Sequence, residues 1–318
     1  MYGRDFFFNG RRSAQWNCPR GVGLLVHCRE RERESEGGME MAESLQIGGQ
    51  ASDVCRERQG WTQNVVVMRH GDRIDAVEPL WLSHADRPWD PPLTDVGKIR
   101  AWTTGKRLRN MGFPVHRIIV SPFLRCLQTA AEVITALCCV VDDETHLLSM
   151  ETSAGAVIDP TRVKVNIEYG LCEVFCMQAM RLSAPPKDGM WLPDVSDLEA
   201  LLPAGTIDHS VEPFKQQLPL WEESLAVARE RYLTVIEALA DKFPHENLLL
   251  VTHGEAVGVS ISSHLKDVIV YEVEYCAYTH LQRQVHTEHS KAVTEGGFKL
   301  VEQPSWPPIL LMKLPCSS

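Results

Sequence analysis

Three short polar clusters, each standing at the end of an aliphatic run, carry side chains suited to one chemistry. Arg69, His70 and Arg73 follow the run Val65–Met68, Ser121 and Arg125 follow residues 116–120, and His253 follows residues 247–251. Arginine suits a phosphoryl site because its planar fork donates paired hydrogen bonds to phosphate oxygens and stays charged at any cellular pH. Gly71 permits a sharp turn and a close approach of backbone to ligand. The helix expected after Ser121 would aim its first N–H groups at an anion. Each cluster alone has an ordinary explanation: a histidine after a strand is usually a satisfied loop residue, and an arginine on a helix usually a solvated face. Their recurrence at three strand ends is what points to a shared phosphoryl-binding edge.

The elements that would position these groups alternate in type. Val65–Met68 has the β-branched, uniformly apolar character of a strand buried on both faces. A helix is expected over residues 93–111, with Thr94 as N-cap and Gly112 as the stop. The connection between them, about 24 residues rich in Trp, Pro and Asp, is long for a compact domain, and such loops are more often functional than decorative. Residues 116–120 form a second strand, followed by a helix over 123–137 with Pro122 in its first turn. Residues 163–167 give a third strand, 218–242 a long amphipathic helix, and 247–251 a fourth strand with a helix behind it. Strands are also expected over 268–278 and 298–301. This order predicts an α/β fold, helices covering both faces of a largely parallel sheet, with function at the carboxyl ends of the strands. Residues 183–219, rich in Pro, Gly and Asp, read as a surface insertion or lid within a domain spanning residues 61–315.

Composition limits the partners. A formal net charge of −10 over 318 residues argues against general affinity for nucleic acid or anionic membrane surfaces. No apolar run reaches the roughly 18–20 residues that span a bilayer, and the N-terminus lacks a hydrophobic signal core. The expectation is a soluble, cytoplasmic chain. Its ten cysteines, irregularly spaced, are expected as reduced thiols. Cys172 and Cys176, four apart on an expected helix, have no second pair to complete a zinc set. Residues 1–60 show no sustained periodicity and read as a disordered tail. The first 38, preceding Met39, read as an upstream extension of the gene model. Oligomeric state, a homodimer included, is left open.

The runs Val-Val-Met-Arg-His-Gly-Asp-Arg (66–73) and Leu-Leu-Val-Thr-His-Gly-Glu (249–255) resemble the histidine phosphatase, or phosphoglycerate mutase-like, superfamily. Pro-Leu-Thr-Asp-Val-Gly at 92–97 and Ser-Pro-Phe-Leu-Arg-Cys-Leu-Gln-Thr-Ala at 121–130 fit the same pattern, so the resemblance covers most of residues 63–312. Arg-His-Gly-Asp-Arg-Ile-Asp and Glu-Tyr-Gly-Leu-Cys-Glu (168–173) look most like the phosphatase domains of the suppressor of T-cell receptor signalling proteins. The resemblance implies a three-layer sandwich with a mostly parallel six-stranded sheet and an inserted cap. It further implies His70 as nucleophile, Glu173 as general acid with Glu168 as its competitor, and Arg69, Arg73, Arg125 and His253 as the phosphate pocket. The implied activity is a phosphomonoesterase needing no metal or other cofactor, acting on a phosphorylated small molecule or phosphopeptide. A phosphoglycerate-type mutase and a catalytically silent phospho-ligand module are the alternatives.

Overall fold

Val65 and Val67 pack into one apolar layer and Val66 and Met68 into the other, so the first strand is inside on both faces as its composition requires. The computed structural model describes residues 60–288, 291–301 and 308–313. The expectations for residues 1–59, and for 314 and 315 at the far domain boundary, lie outside the described residues.

In chain order the elements are β1 (Gly60–Arg69), α1 (Asp95–Arg109), β2 (Arg117–Val120), α2 (Leu124–Cys138), α3 (Glu144–Ser149), β3 (Lys164–Ile167), α4 (Met177–Met180), α5 (Val195–Glu199) and α6 (Leu225–Lys242). β4 (Leu248–Thr252), α7 (Gly254–Ser262), β5 (Val268–Val273), β6 (Tyr278–Glu288), β7 (Lys291–Leu300) and β8 (Ile309–Lys313) follow. The main sheet has six strands in the order β3-β2-β4-β1-β6-β7. Its first four strands pair in parallel, while β6 runs antiparallel to both β1 and β7. Helices α1 and α2 cover one face through Ala101, Leu108, Leu127, Val133 and Ile134, and α6 and α7 cover the other through Tyr232, Val235, Leu239 and Val257. The fold is thus a three-layer α/β sandwich with a mostly parallel sheet. β5 and β8 form a separate antiparallel pair.

Several expected boundaries move for local reasons. Thr94 caps α1 as anticipated, its hydroxyl accepting the Gly97 N–H at 2.9 Å. Pro122 stands just before the α2 N-cap, Phe123, rather than inside the first turn. The helix expected from residue 218 begins at Leu225, because Ser224 caps it and Glu222 adopts a left-handed φ of 65° that no helix accommodates. The strand expected over 268–278 is broken at residues 274–277, where Cys276 takes a φ of 60°, and a new strand starts at Tyr278. Cys172 and Cys176 lie in irregular chain rather than on a helix, Cys176 immediately preceding α4.

The insertion at residues 183–219 is fastened rather than loose. Leu192, Leu198, Leu202 and Ile207 pack into the core beside α1 and α2. Trp191 stacks on Trp221, with centroids 5.2 Å apart, and meets Phe175 at 4.3 Å. Asp208 accepts from the buried Arg117 at 2.9 Å. Its composition gave no hint of these anchors, which join the insertion to α1, α2, Phe175 and Trp221.

Candidate active site

Strand register assembles the site. Arg69 pairs with Thr252, and Val120 with Val251, so His70, Ser121 and His253 leave three neighbouring strands at their carboxyl ends. That edge is where an open parallel sheet presents its loops to ligands.

His70 is 1% exposed, and its Nδ1 lies 2.8 Å from the carbonyl oxygen of Gly71. A carbonyl only accepts, so Nδ1 carries the proton and the lone pair of the neutral ring sits on Nε2. The Gly71 peptide is itself tethered: its N–H donates to Thr129 Oγ1 at 2.9 Å, and that hydroxyl donates to the Arg125 carbonyl at 2.7 Å. A side chain at position 71 would come within 2.8 Å of the Gly97 carbonyl, so glycine is needed here for the close approach of the loop to α1. Burial, then the charges of Arg125, His253 and Arg69, hold the His70 imidazole well below its ordinary pKa.

His253 is fully buried, with Nε2 2.9 Å from Ser121 Oγ and Nδ1 3.2 Å from Glu173 Oε2. An ionised carboxylate cannot donate, so Nδ1–H points to Glu173 and the Ser121 hydroxyl donates to Nε2. Burial lowers the pKa of His253 to about 4, Glu173 opposing the shift and Arg125 adding to it. The two imidazoles meet edge to face at 5.4 Å between centroids.

Arg125, 1% exposed, extends from the first turn of α2 and reaches Glu173 Oε2 at 3.4 Å and Asp90 Oδ1 at 3.5 Å. Its Nε, and that of Arg69, are buried without a hydrogen-bond partner among the described residues. A buried guanidinium N–H left unpaired is costly, and two of them beside His70 mark a place for an anion's oxygens. Arg69 donates one terminal nitrogen to the Val273 carbonyl and lies over the Tyr275 ring at 4.2 Å. Arg73 grips Asp75 with Nε at 2.8 Å and Nη2 at 2.6 Å, with no hydrogen bond to Nη1 among the described residues, and Arg181 supports the same carboxylate at 2.9 Å.

The two candidate acids separate cleanly. Glu173 enters the cluster described above. Burial opposes its ionisation, yet His253, Arg125 and His70 hold its carboxyl well below the usual carboxylate range. Glu168 instead accepts backbone N–H groups from Gly170 (2.9 Å), Phe214 (2.6 Å) and Lys215 (2.9 Å), and so fastens the insertion to the end of β3. All six expected site residues converge, and Glu168 stands apart.

Three further residues belong to the arrangement. Asp90 ends the long loop after β1 and accepts the Leu124 N–H at 2.8 Å, so a protein carboxylate already occupies the start of α2 where an anion was expected. Burial raises its pKa to about 6. Thr129 and Tyr275 complete the surround, the Tyr275 ring standing 5.8 Å from that of His70. The only sequence signals for them were the Asp-Pro-Pro ending of an overlong loop and the spacing of Thr129, one helical turn beyond Arg125. Tyr275 offered none.

His70, Glu173 and His253 also present ligand-type atoms all within 4.8 Å of one another, a set chemically able to hold a metal. The guanidiniums of Arg125 and Arg69 share that space, and their charge favours an anion over a cation.

Fold and site together define a class: an α/β sandwich whose strand ends enclose paired imidazoles within a guanidinium-lined, anion-seeking pocket. The profile of the histidine phosphatase superfamily (branch 1) matches residues 58–170, about a third of the chain. A phosphoglycerate mutase family protein, R708, of Acanthamoeba polyphaga mimivirus is 40% identical over 73 residues, which is 22% of this chain and 36% of that protein. The match therefore spans about a third of that relative's length. Among solved structures, the ecdysone phosphate phosphatase of Bombix mori, crystallised with tungstate, aligns over 76% of this chain and 93% of its own. The sequence identity is 20% and the TM-score 0.50, a likeness of fold.

Proposed function

We propose that this protein is a metal-independent phosphomonoesterase that works through a phosphohistidine on His70. The observation that carries the reading is the pinned tautomer of His70: Nδ1 is committed to the Gly71 carbonyl, so a neutral ring held among cations offers its lone pair at Nε2. The unpaired Nε–H groups of Arg69 and Arg125 supply donors for the equatorial oxygens of a transferring phosphoryl group. Nη1 of Arg73 and Nδ1–H of His253 add two more, the latter once substrate oxygen replaces Glu173 as its acceptor. In the first step Nε2 of His70 bonds to phosphorus and the ester P–O bond breaks, leaving the electron pair on the departing oxygen.

Glu173 is the group placed to protonate that oxygen. Its low pKa belongs to the empty pocket, where it accepts the Nδ1–H of His253 and is the counter-ion of Arg125. A phosphoryl dianion takes over both partners and adds a like charge beside the carboxyl, and both changes raise its pKa. After leaving-group departure the ionised Glu173 accepts a proton from water, a water oxygen bonds to phosphorus, and the bond to Nε2 breaks. Hydrolysis of p-nitrophenyl phosphate in excess chelator, lost in His70→Ala, tests the reading. Activity that disappears with chelator, or survives the substitution, would refute it. The finer placement beside the suppressor of T-cell receptor signalling phosphatases rests on the two motifs at 69–75 and 168–173.

A further inference from the structure

A cleft of about 670 Å³ opens from the phosphoryl pocket, with Arg69 and Glu173 at its inner end and Val174, Ala179 and Leu225 among its walls. Its volume lies in the range that encloses drug-sized ligands, far more than a phosphate needs. Because Glu173, the group proposed to protonate the departing oxygen, lines its inner end, the cleft occupies the side from which a leaving group would depart.

The charges along the cleft are one-sided. Arg69 is the cation among its lining residues, against Glu173, Glu222, Glu223 and Glu255. Two of these carboxylates are neutralised from behind: Arg231 clasps Glu223 through Nε and Nη2, both at 2.7 Å, and Arg229 meets Glu255 at 2.5 Å. Glu222, exposed and with no ion pair among the described residues, faces solvent at the outer rim. A second anionic group on a substrate would find no counter-ion here and would meet carboxylates instead. An uncharged apolar body would displace water from Val174, Ala179 and Leu225 without that repulsion.

We infer that the cleft selects phosphate esters of bulky, uncharged, largely apolar alcohols or phenols, and rejects substrates carrying a second anionic group. This rests on the phosphatase reading for its meaning in turnover, but the selectivity is a property of binding. It also weighs against phosphoglycerate as substrate, since the carboxylate of that molecule has no partner in the cleft.

The test is calorimetric, on full-length His70→Ala, with 1-naphthyl phosphate, phenyl phosphate and 3-phosphoglycerate as probes. The second aromatic ring should tighten binding over phenyl phosphate by about tenfold, and 3-phosphoglycerate should bind more weakly than either. Adding Ala179→Trp or Leu225→Trp should collapse the naphthyl-to-phenyl ratio. The two positions lie on different elements, so misfolding of one variant leaves the other informative. Adding Glu222→Lys should favour 3-phosphoglycerate. A ratio unmoved by both tryptophans, or 3-phosphoglycerate binding as tightly as the naphthyl ester, overturns the inference. Turnover of phenyl phosphate by the unaltered chain is read separately: binding selectivity without turnover would refute the phosphatase reading and uphold the cleft.

Discussion

Exchanging each candidate acid for its amide separates chemistry from architecture. In Glu173→Gln the carboxylate that contacts His253 Nδ1 at 3.2 Å and Arg125 at 3.4 Å becomes a group unable to give a proton to the departing oxygen. General acid catalysis contributes about 10²–10⁴ where the leaving group needs it. Alkyl phosphates should therefore slow by about that factor, and p-nitrophenyl phosphate, whose phenolate departs unaided, by far less. Glu168→Gln does something different. An amide keeps one oxygen, but it turns an NH2 toward at least one of the three backbone N–H groups from Gly170, Phe214 and Lys215. A buried donor deprived of its acceptor costs about 1–3 kcal/mol, a fall of several degrees in melting temperature for a domain of this size. The assay is kcat/KM for an alkyl and an aryl ester alongside a thermal melt. Glu173→Gln should shift the ester ratio with a small change in melting, and Glu168→Gln the reverse. Equal slowing of both esters in Glu173→Gln, or a shifted ratio in Glu168→Gln, would refute the assignment of the acid.

Other expectations follow from the same geometry. Thr129→Val strips the acceptor from the buried Gly71 N–H and should cost about 1–3 kcal/mol in denaturant unfolding, with reduced kcat/KM because Gly71 holds the His70 tautomer. Ser121→Ala removes the hydroxyl donor to His253 Nε2 and should lower kcat/KM by about tenfold, the worth of one buried hydrogen bond, without a change in fold by circular dichroism. Stability should depend on pH through the two histidines. With folded-state pKa values below 6.5, that of His253 about 4, the unfolded chain binds more protons in this window, so stability is full above about pH 6.5 and lost as pH falls toward 4. Asp90, raised to about 6, and Glu168, raised above its ordinary value, act in the opposite sense, while the lowered His280 and Glu173 act with the two histidines. Melts from pH 7.5 to 4.5 should show the loss, shallower in His253→Asn.

What the sequence disclosed and what it hid follow from the range of the interactions. His70, Ser121 and His253 were legible because parallel strands buried on both faces announce themselves as apolar runs, and a residue leaving such a run is at the sheet edge wherever the strand sits. Arg125 followed, being one turn into the helix behind Ser121. Glu173 was legible only through its motif, because no periodicity marks the irregular chain that carries it, and its distinction from Glu168 is a matter of which backbone N–H groups each one meets. Tyr275 comes to Arg69 because Cys276 turns the chain in a left-handed conformation and breaks what reads as one continuous strand. The anchoring of residues 183–219 depends on Trp191 finding Trp221 and Phe175, contacts between segments whose own composition suggests loops.

The phosphorylated intermediate is the most direct test of the central claim. The full chain should be mixed rapidly with phenyl phosphate, quenched in base within a single turnover, and examined by phosphopeptide mass spectrometry and 31P NMR. The account predicts a base-stable, acid-labile phosphoramidate on Nε2 of His70, formed before free phosphate appears and enriched in Glu173→Gln, whose hydrolytic step is slowed. Product phosphate formed in the first turnover with no adduct, or an adduct on another residue, would contradict it.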